Sequence, residues 1–347
     1  IAALKDLGHD LFVCSDLKSP LVDHLVYGAV DIHAICLRRN ISAELVLFIE
    51  GGTMRLFPVG LEQFSCPTAW YGIDTHMDYA KHLLIGRTFD ATFVAQQEYV
   101  SRLLADGLKQ VYWLPLAFAP ELLPIHSLKR TIDIAYVGSS DAVTHPVRHA
   151  LLAALSRAFD STRFGPASPS EMGAIYAGAH IVFNRSVNND VNMRFFEAAG
   201  CGAVLVTDPI ANNGLEELFE EGAHYVTYKD EPSLIQAVRD LLADPVRCAR
   251  IAEASRYHVM ANHTYTHRAI SLLNSLNGVE KIRQVRPADC FSACLALGLM
   301  SGAARAAANT FAESGGGLYR RVAGRVTAIV LHPIAALLGI VERLRVI

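Results

Sequence analysis

The segment 184–202 carries the densest group of side chains suited to chemistry. It is polar up to residue 192 and then predicts a short helix whose first turn holds Arg194 and Glu197. A helix amino terminus offers free N–H groups and a positive dipole end, which suit a diphosphate. Arg194 could donate a bidentate pair to phosphate oxygens, and Glu197 could accept from a ribose diol. The alternative is a capped helix start with an Arg–Glu pair three residues apart.

Two further groups of polar residues follow predicted strands. Gly138 and Ser139 come after an apolar strand, where glycine lets the backbone approach a ligand and a hydroxyl can donate to phosphate. Gly-Ser turns also occur without any ligand. Asp74 and His76 follow another strand and could act as a general base or orient a substrate. In the alternative, His76 caps the next helix and Asp74 bonds its backbone.

The remaining residues give no sign of a metal or a bound cofactor. His263 and His267 lie four residues apart, without the glutamate that a zinc protease helix has after its first histidine. The sequence contains no Walker-type phosphate loop, no serine nucleophile elbow and no GxGxxG fingerprint. We therefore predict a site with no metal and no cofactor.

Short apolar runs alternate with helical segments along the chain, which is typical of parallel β-α units. The predicted strands lie at 11–14, 45–49, 68–72, 91–95, 111–114, 132–137, 180–184, 203–207 and 225–228. The predicted helices lie at 76–84, 97–105, 146–159, 193–199, 215–221 and 232–242, with two more up to residue 273. Ligands of open α/β sheets bind beyond the carboxyl ends of the strands, so we expect a cleft between two such domains.

A proline-rich linker at 114–124 separates the two sets of units. The pattern predicts a first α/β domain over 1–125, a second over 126–277 and a helical tail over 278–347. The opening residues read as the end of a helix with Gly8 as its C-cap. We therefore expect the first domain to lack its first strand and the loop after it.

Composition bounds the class of protein. The 347 residues are 52% hydrophobic and 19% charged, which supports sizeable cores and excludes a disordered or fibrous chain. A net charge of −3 gives no overall field for nucleic acid, so we predict no nucleic-acid partner. Seven cysteines, an odd number without a CxxC pair, predict free thiols in a reducing compartment such as the cytoplasm.

The charge is unevenly distributed along the chain. From 278 to 347 there are nine Lys or Arg and four Asp or Glu, a net of +5, which leaves −8 on the preceding residues. Basic residues flank apolar helical segments in this tail, and this suits peripheral contact with the inner face of an anionic membrane. The alternatives are helices that pack on the first domain and a homodimer interface. No run of 18 apolar residues occurs, so no spanning helix is expected.

Several segments of the second domain occur in the order found in one family. They are Arg194-Phe-Phe-Glu-Ala-Ala-Gly-Cys-Gly202, Thr207-Asp208, Gly214-Leu-Glu-Glu-Leu-Phe219, Tyr228-Lys-Asp, Ile251-Ala-Glu-Ala-Ser255 and His263-Thr-Tyr-Thr-His-Arg268. Over about 131–270 the chain resembles glycosyltransferases of the GT-B fold. It is most similar to the spore-maturation-protein-B-like branch with a family-4-type donor domain. The resemblance implies two Rossmann-like parallel-sheet domains facing a cleft, and it assigns ribose binding to Glu197.

The sequence departs from this family at one position. Many retaining relatives have a second glutamate eight residues before the ribose-binding one, and here that position is Asn189, followed by Asp190. Asn189 cannot supply charge to a developing oxocarbenium ion, although it could hydrogen-bond a sugar hydroxyl.

The resemblance implies transfer of a sugar from a nucleotide diphosphate sugar to a carbohydrate or glycoconjugate acceptor, as in cell-surface polysaccharide synthesis, without a metal. The alternatives are a nucleotide-sugar epimerase or hydrolase and a non-catalytic nucleotide- or sugar-binding protein. The implied donor-binding residues are Gly138, Ser139, Asn184, Asn189, Arg194 and Glu197.

Five residues are expected on the substrate side. Asp74 and His76 would carry the catalysis near the acceptor, and the implied substrate contacts are Glu50, Gln96 and Asn213. Glu50 is as well explained by a plain loop, and Asn213 by the turn that an Asn-Gly pair favours.

Overall fold

The computed structural model describes residues 1–50, 55–122, 129–282 and 285–295. The chain divides into two compact units, which we call the C-unit and the N-unit. The C-unit comprises Ile1–Asp10, Val94–Ser101 and Trp113–Ser275. The N-unit comprises Leu11–Phe93, Arg102–Tyr112 and the described residues from Leu276 on. The opening helix, α1 (Ala2–Asp6), therefore belongs to the C-unit and ends before Gly8, as the sequence predicts.

The N-unit is an α/β unit with one larger sheet. Its strands are β1 (Cys14–Ser15), β2 (His24–Leu25), β3 (Gly28–Asp31), β4 (Val46–Glu50), β5 (Leu56–Val59), β6 (Thr68–Gly72), β7 (Ala91–Val94) and β8 (Val111–Trp113). Its helices are α2 (Ile32–Arg39), α3 (Tyr79–Gly86) and α4 (Glu98–Ala105), and the start of α4 falls in the C-unit. The larger sheet has the order β4-β6-β7-β8, while β1–β2 and β3–β5 form parallel pairs.

The four strands of the larger sheet are confirmed to within one residue of their predicted ends. The sequence does not predict β2, β3, β5 or α2. β2 has only two residues and therefore no periodic signal, and β5 contains Pro58, which weakens a strand prediction.

The described start of the tail contributes to the core of the N-unit. Residues 287–295 are helical, and Val285, Cys290 and Cys294 are buried against Phe57 and Trp70. Residues 285–295 therefore follow one of the alternatives for the tail, in which it packs on the first domain. Residues 296–347, where most of the predicted tail lies, are outside the described residues. In the described part of the chain, no helix combines the length and apolar composition that crossing a bilayer requires.

The C-unit holds a five-stranded parallel sheet. Its strands are β9 (Ile132–Val137), β10 (Thr162–Gly165), β11 (Ala179–Phe183), β12 (Val204–Thr207) and β13 (Tyr225–Thr227). Its helices are α5 (Pro146–Ala158), α6 (Pro169–Ala177), α7 (Met193–Gly200), α8 (Leu215–Leu218), α9 (Glu231–Ala243), α10 (Pro245–Asn262) and α11 (Tyr265–Ser275). The order is β10-β9-β11-β12-β13, so the winding direction reverses between β9 and β11. Ligands of such sheets bind at this switch point, beyond the carboxyl ends of the strands.

The central strands are buried on both faces and read as continuous apolar runs, which is why the sequence predicts β9, β11 and β12 well. Tyr136, Phe183 and Tyr228 line one core cluster with residues of α5 and α9. The sequence does not predict α6. It also misses β10, because this four-residue polar edge strand has little apolar pattern.

Gly200 tests the packing of α7 in this unit. A Cβ at this position would come within 2.5 Å of the ring of Phe118, which is fully buried. Gly200→Ala is therefore expected to lower the free energy of unfolding by about 1–3 kcal/mol through overpacking. Urea denaturation measures the change. Gly178→Ala is the matched control, because its Cβ would lie 3.3 Å from the nearest atom at an ordinary negative φ. Equal stability of the two variants would show that the Phe118 contact is not tight.

Candidate functional site

The switch point of the C-unit sheet brings two predicted segments together. The Gly138–Ser140 loop follows β9, and the polar segment from Asn184 follows β11, its direct neighbour in the sheet. Carboxyl ends of parallel neighbours lie at one edge, so the two loops flank one crevice. The candidate site is built from these loops and from the helices α5 and α7 that follow them.

Arg194 reaches from the first turn of α7 to the end of β9. Its Nη1 donates to Asn184 Oδ1 at 2.5 Å, and its Nη2 donates to the Val137 carbonyl at 3.1 Å. The guanidinium lies 4.6 Å from the centroid of the Tyr136 ring, within cation–π range. The suggested ion pair with Glu197 is not formed in the described structure, because Arg194 is turned toward the β9 loop instead.

Arg148 is a functional candidate that the sequence analysis missed. It lies on α5 and is only 8% exposed, with Nη1 donating to the Ser139 carbonyl at 3.3 Å and Nη2 to the Arg185 carbonyl at 3.1 Å. Its guanidinium lies 5.7 Å from the same Tyr136 ring. One signal was available: Arg148 occupies an otherwise apolar stripe of α5 that also contains Leu151 and Leu155.

The two guanidinium groups form a positive site in which neither makes an ion pair within the described residues, although the Glu197 carboxylate acts on Arg194 electrostatically. In the same part of the chain, the Nε of each arginine is buried without a hydrogen-bond partner. Burying a cation is costly unless a counter-charge is supplied. The arrangement therefore favours an anionic ligand at the carboxyl ends of β9 and β11.

Glu197 lies one turn after Arg194 on α7 and is partly buried. Burial raises the pKa of its carboxyl group, and the positive charge of Arg194 partly opposes that rise. Its carboxylate makes no hydrogen bond to another described residue, so its acceptor capacity is unused within the described chain. A carboxylate in this state can accept from hydroxyl groups of a ligand.

Gly138 allows the β9 loop to pass close to the two arginines. Its φ is +148°, and a Cβ would lie 2.8 Å from the Tyr136 hydroxyl and 3.2 Å from Arg194 Nη2. Both the strained backbone and the lack of space require glycine here. The neighbouring Ser139 carbonyl accepts from the Tyr136 hydroxyl at 2.9 Å, which fixes the loop over the aromatic ring.

The buried Asn184 orients Arg194. Its Oδ1 accepts from Arg194 Nη1 and from Asn192 Nδ2, while its Nδ2 donates to Thr207 Oγ1 at 2.9 Å. Asn192 in turn is the N-cap of α7, with Oδ1 accepting from the Arg194 amide. Direct nucleotide binding by Asn184 stays a prediction, since its amide is engaged by these neighbours.

The predicted donor-binding residue Asn189 lies together with two predicted substrate-side residues, Gln96 and Asn213, in the C-unit. Asn189 pairs with the backbone of Ala211, while Gln96 and Asn213 are each 1% exposed and hydrogen-bonded to one another at 3.0 Å. Their contact with a sugar stays a prediction.

The other predicted site residues belong to the N-unit. Asp74 is exposed and His76 half-buried in the turn after β6, and Glu50 is the last residue of β4. The cap of α3 is Asp78, whose side chain accepts from the Lys81 amide, so the suggested capping by His76 is wrong. Among the described residues, no group of three or more His, Cys, Asp or Glu could hold a metal ion.

The described geometry agrees with a sequence comparison over the same region. Residues 125–274 match the protein family described as glycosyl transferase-like. This segment is therefore similar to glycosyl transferase-like domains. It contains the whole C-unit sheet, the two arginines and Glu197. No curated protein sequence matches the chain.

Solved structures are similar to the chain at low sequence identity. A glycosyltransferase from Rickettsia africae has a TM-score of 0.52 and 12% identity, with 80% of this chain and 92% of that one covered. This likeness supports the predicted GT-B-like α/β fold with two groups of parallel strands. Sucrose-phosphate synthase from Thermosynechococcus elongatus has a TM-score of 0.47 and 14% identity, with 70% of this chain and 74% of that one covered. Anabaena HepE in complex with UDP-glucose has a TM-score of 0.48 and 13% identity, with 60% of this chain and 72% of that one covered.

Proposed function

We propose that the chain is a glycosyltransferase that takes a sugar from a nucleotide diphosphate sugar and transfers it to a carbohydrate or glycoconjugate acceptor. The observation that carries the proposal is that Arg148 and Arg194 each have a buried Nε atom without a hydrogen-bond partner, and that neither makes an ion pair among the described residues. A diphosphate supplies the missing negative charge and has enough oxygens for both groups. The glycosyl transferase-like match over 125–274 and the structure of HepE in complex with UDP-glucose support this choice of ligand.

In this proposal the arginines stabilise the departing nucleoside diphosphate. As the bond between the sugar and the diphosphate breaks, negative charge grows on the diphosphate oxygen and the sugar becomes oxocarbenium-like. Cationic groups held in advance at that oxygen lower the barrier, since they need no reorganisation during the reaction. With this charge supplied by Arg148 and Arg194, the transfer needs no metal.

The remaining roles are assigned as follows. Glu197 accepts from the ribose hydroxyls, and Gly138 with Ser139 lets the backbone approach the phosphates. Asp74 and His76 act as a general base toward the acceptor or orient it, and Glu50 is a further carboxylate on the acceptor side. We also propose membership of the spore-maturation-protein-B-like branch, a role in cell-surface polysaccharide synthesis, and peripheral membrane contact through the tail.

One observation favours a non-catalytic nucleotide-binding protein as the second candidate. Both amide atoms of Asn189 are taken up by the backbone of Ala211, with Oδ1 accepting at 3.1 Å and Nδ2 donating at 2.7 Å. The position where many relatives carry a second glutamate is therefore neutral and already paired.

Titration calorimetry with UDP, GDP, ADP and CDP followed by product analysis tests the proposal. At least one diphosphate is expected to bind, and its sugar nucleotide is expected to yield a glycosylated product from a carbohydrate panel with EDTA present. Release of free sugar without an acceptor would favour the hydrolase, and binding without turnover would favour the non-catalytic candidate. If no diphosphate binds, the proposal is wrong.

Glu197→Ala is expected to weaken binding of that diphosphate by about 1–3 kcal/mol, because hydrogen bonds to the ribose are lost. Calorimetry at constant salt measures the change. Glu253→Ala, on an exposed position of α10, is the control and should bind as the unmodified chain does. Unchanged affinity of the Glu197 variant would remove the ribose assignment.

A further inference from the structure

Two neighbouring loops of the C-unit hold an unusual backbone. The 185–192 loop follows β11 and the 208–214 loop follows β12, and these strands are paired in parallel. Three asparagines in the loops have left-handed backbones, with φ of 49° at Asn188, 64° at Asn189 and 56° at Asn212. Each such conformation costs free energy and persists only where the surroundings fix it.

Hydrogen bonds from Asn189 and Asn213 supply that fixation. The Asn189 side chain bonds both the amide and the carbonyl of Ala211, which joins the two loops. Asn213 adds a second link between the loops, since its Nδ2 donates to the Asn189 carbonyl at 2.7 Å. The loops are therefore tied together at Asn189, one of the two consecutive left-handed residues.

Gln96 ties the same loops to a third segment of the C-unit, Val94–Ser101. Its Oε1 accepts from Asn213 Nδ2 and from the Val191 amide, both at 3.0 Å. The Asn213 Oδ1 accepts from the Glu98 amide at 3.2 Å, so both ends of its amide are used. With Gln96 and Asn213 each 1% exposed, these bonds are shielded from water, and losing one leaves a buried polar group unpaired.

The hydrogen bond to Val191 acts next to the start of α7. Asn192 follows Val191 and caps the helix through its bond to the Arg194 amide. The same Asn192 donates to Asn184 Oδ1, which also accepts from the Arg194 guanidinium. A shift of Val191 would therefore move the helix cap and the arginine together.

We propose that Asn213 is a positioning residue of the nucleotide site: together with Gln96 it fixes the 185–192 loop, so that Asn192 caps α7 and Arg194 faces the diphosphate. The inference rests on the proposed function. In this inference Asn213 acts through the loop, because its amide atoms are already bonded to protein groups.

Asn213→Asp tests this role with little change of shape. It replaces the Nδ2 donor by an oxygen that faces two acceptors, Gln96 Oε1 and the Asn189 carbonyl. We expect the Kd for UDP, or for the diphosphate that the unmodified chain prefers, to rise about tenfold. Hydrogen exchange of amides at 186–192 should accelerate in the same variant. Gln96→Leu removes the shared acceptor and should give a similar rise, with the double variant less than additive.

Two controls separate positioning from general destabilisation. Asn274→Asp introduces the same change at an exposed position of α11, and Leu241→Ala lowers stability from a fully buried position of α9. Both should leave the Kd unchanged. The inference is overturned if folded Asn213→Asp and Gln96→Leu bind as tightly as the unmodified chain, or if Leu241→Ala raises the Kd equally. If the unmodified chain binds no diphosphate, the proposed function falls as well.

Discussion

Arg194→Met is expected to weaken binding of the nucleoside diphosphate about 100-fold. Methionine keeps an unbranched apolar stem for packing on Tyr136 but removes the charge and the planar donors. The effect is large because Arg194 makes no ion pair among the described residues, so the diphosphate is its counter-ion in our proposal.

Calorimetry with UDP at two salt concentrations gives the measurement, since part of the attraction is screened by salt. The affinity of Arg194→Lys for UDP should fall between those of Arg194→Met and the unmodified chain, because lysine keeps the charge and loses the planar fork. Arg239→Met, on an exposed position of α9, should have no effect. If Arg194→Met binds UDP as tightly as the unmodified chain, the anion does not occupy this site.

Lowering the pH from 7 to 5 is expected to remove about 1–2 kcal/mol of folding free energy through His263. This side chain is 8% exposed, its Nδ1 lies 2.9 Å from Arg268 Nη2 and its Nε2 lies 3.0 Å from His258 Nε2. Burial, the charge of Arg268 and the neighbouring His258 together lower the pKa of His263 to about 3. The rings of Phe196 and Phe219 pack against it and offer no acceptor for a proton.

The sign follows from the two states of His263. In the folded chain it stays neutral down to about pH 3, whereas in the unfolded chain it takes up a proton below its ordinary pKa of 6.5. Its contribution is therefore present above pH 6.5 and is lost as the pH falls toward 3. Burial also lowers the pKa of His224, which acts in the same direction, while burial raises that of Glu197, which acts in the opposite direction.

Comparison of variants isolates His263 from these other groups. Urea denaturation at pH 7 and pH 5 should show a smaller loss for His263→Gln, which can still hydrogen-bond but does not titrate. His9→Gln, at an exposed position near the start of the chain, should keep the pH dependence of the unmodified protein. Equal losses for all three chains would place the acid sensitivity elsewhere.

The sequence predicted the elements whose signal is local. Buried parallel strands such as β9 and β12 are continuous apolar runs, and α7 follows a polar segment with an asparagine at its cap, so their bounds were nearly correct. The strands β3 and β10, which are as short as β12, have no such apolar run and were missed, because their pairing partners, not their own residues, define them.

The candidate site divides in the same way. Arg194 and Glu197 were predicted from a helix start after a strand, and the structure places Arg194 at the switch point of the sheet. Arg148 was not predicted, since α5 presents it as one arginine in an apolar stripe. Its value as an anion site depends on Ser139 and Arg185, which reach it from two different loops.

By itself, then, the sequence determined the α/β class, the glycosyl transferase-like segment and the helix that carries Arg194 and Glu197. These features depend on residues a few positions apart, where backbone hydrogen bonding and side-chain period are set. Only the tertiary structure decided that Arg148 joins Arg194, that 285–295 completes the N-unit core, and that Gln96 bonds Asn213 across 117 residues of chain. Contacts at such separations exist only once the sheet has formed, because strand order decides which loops become neighbours.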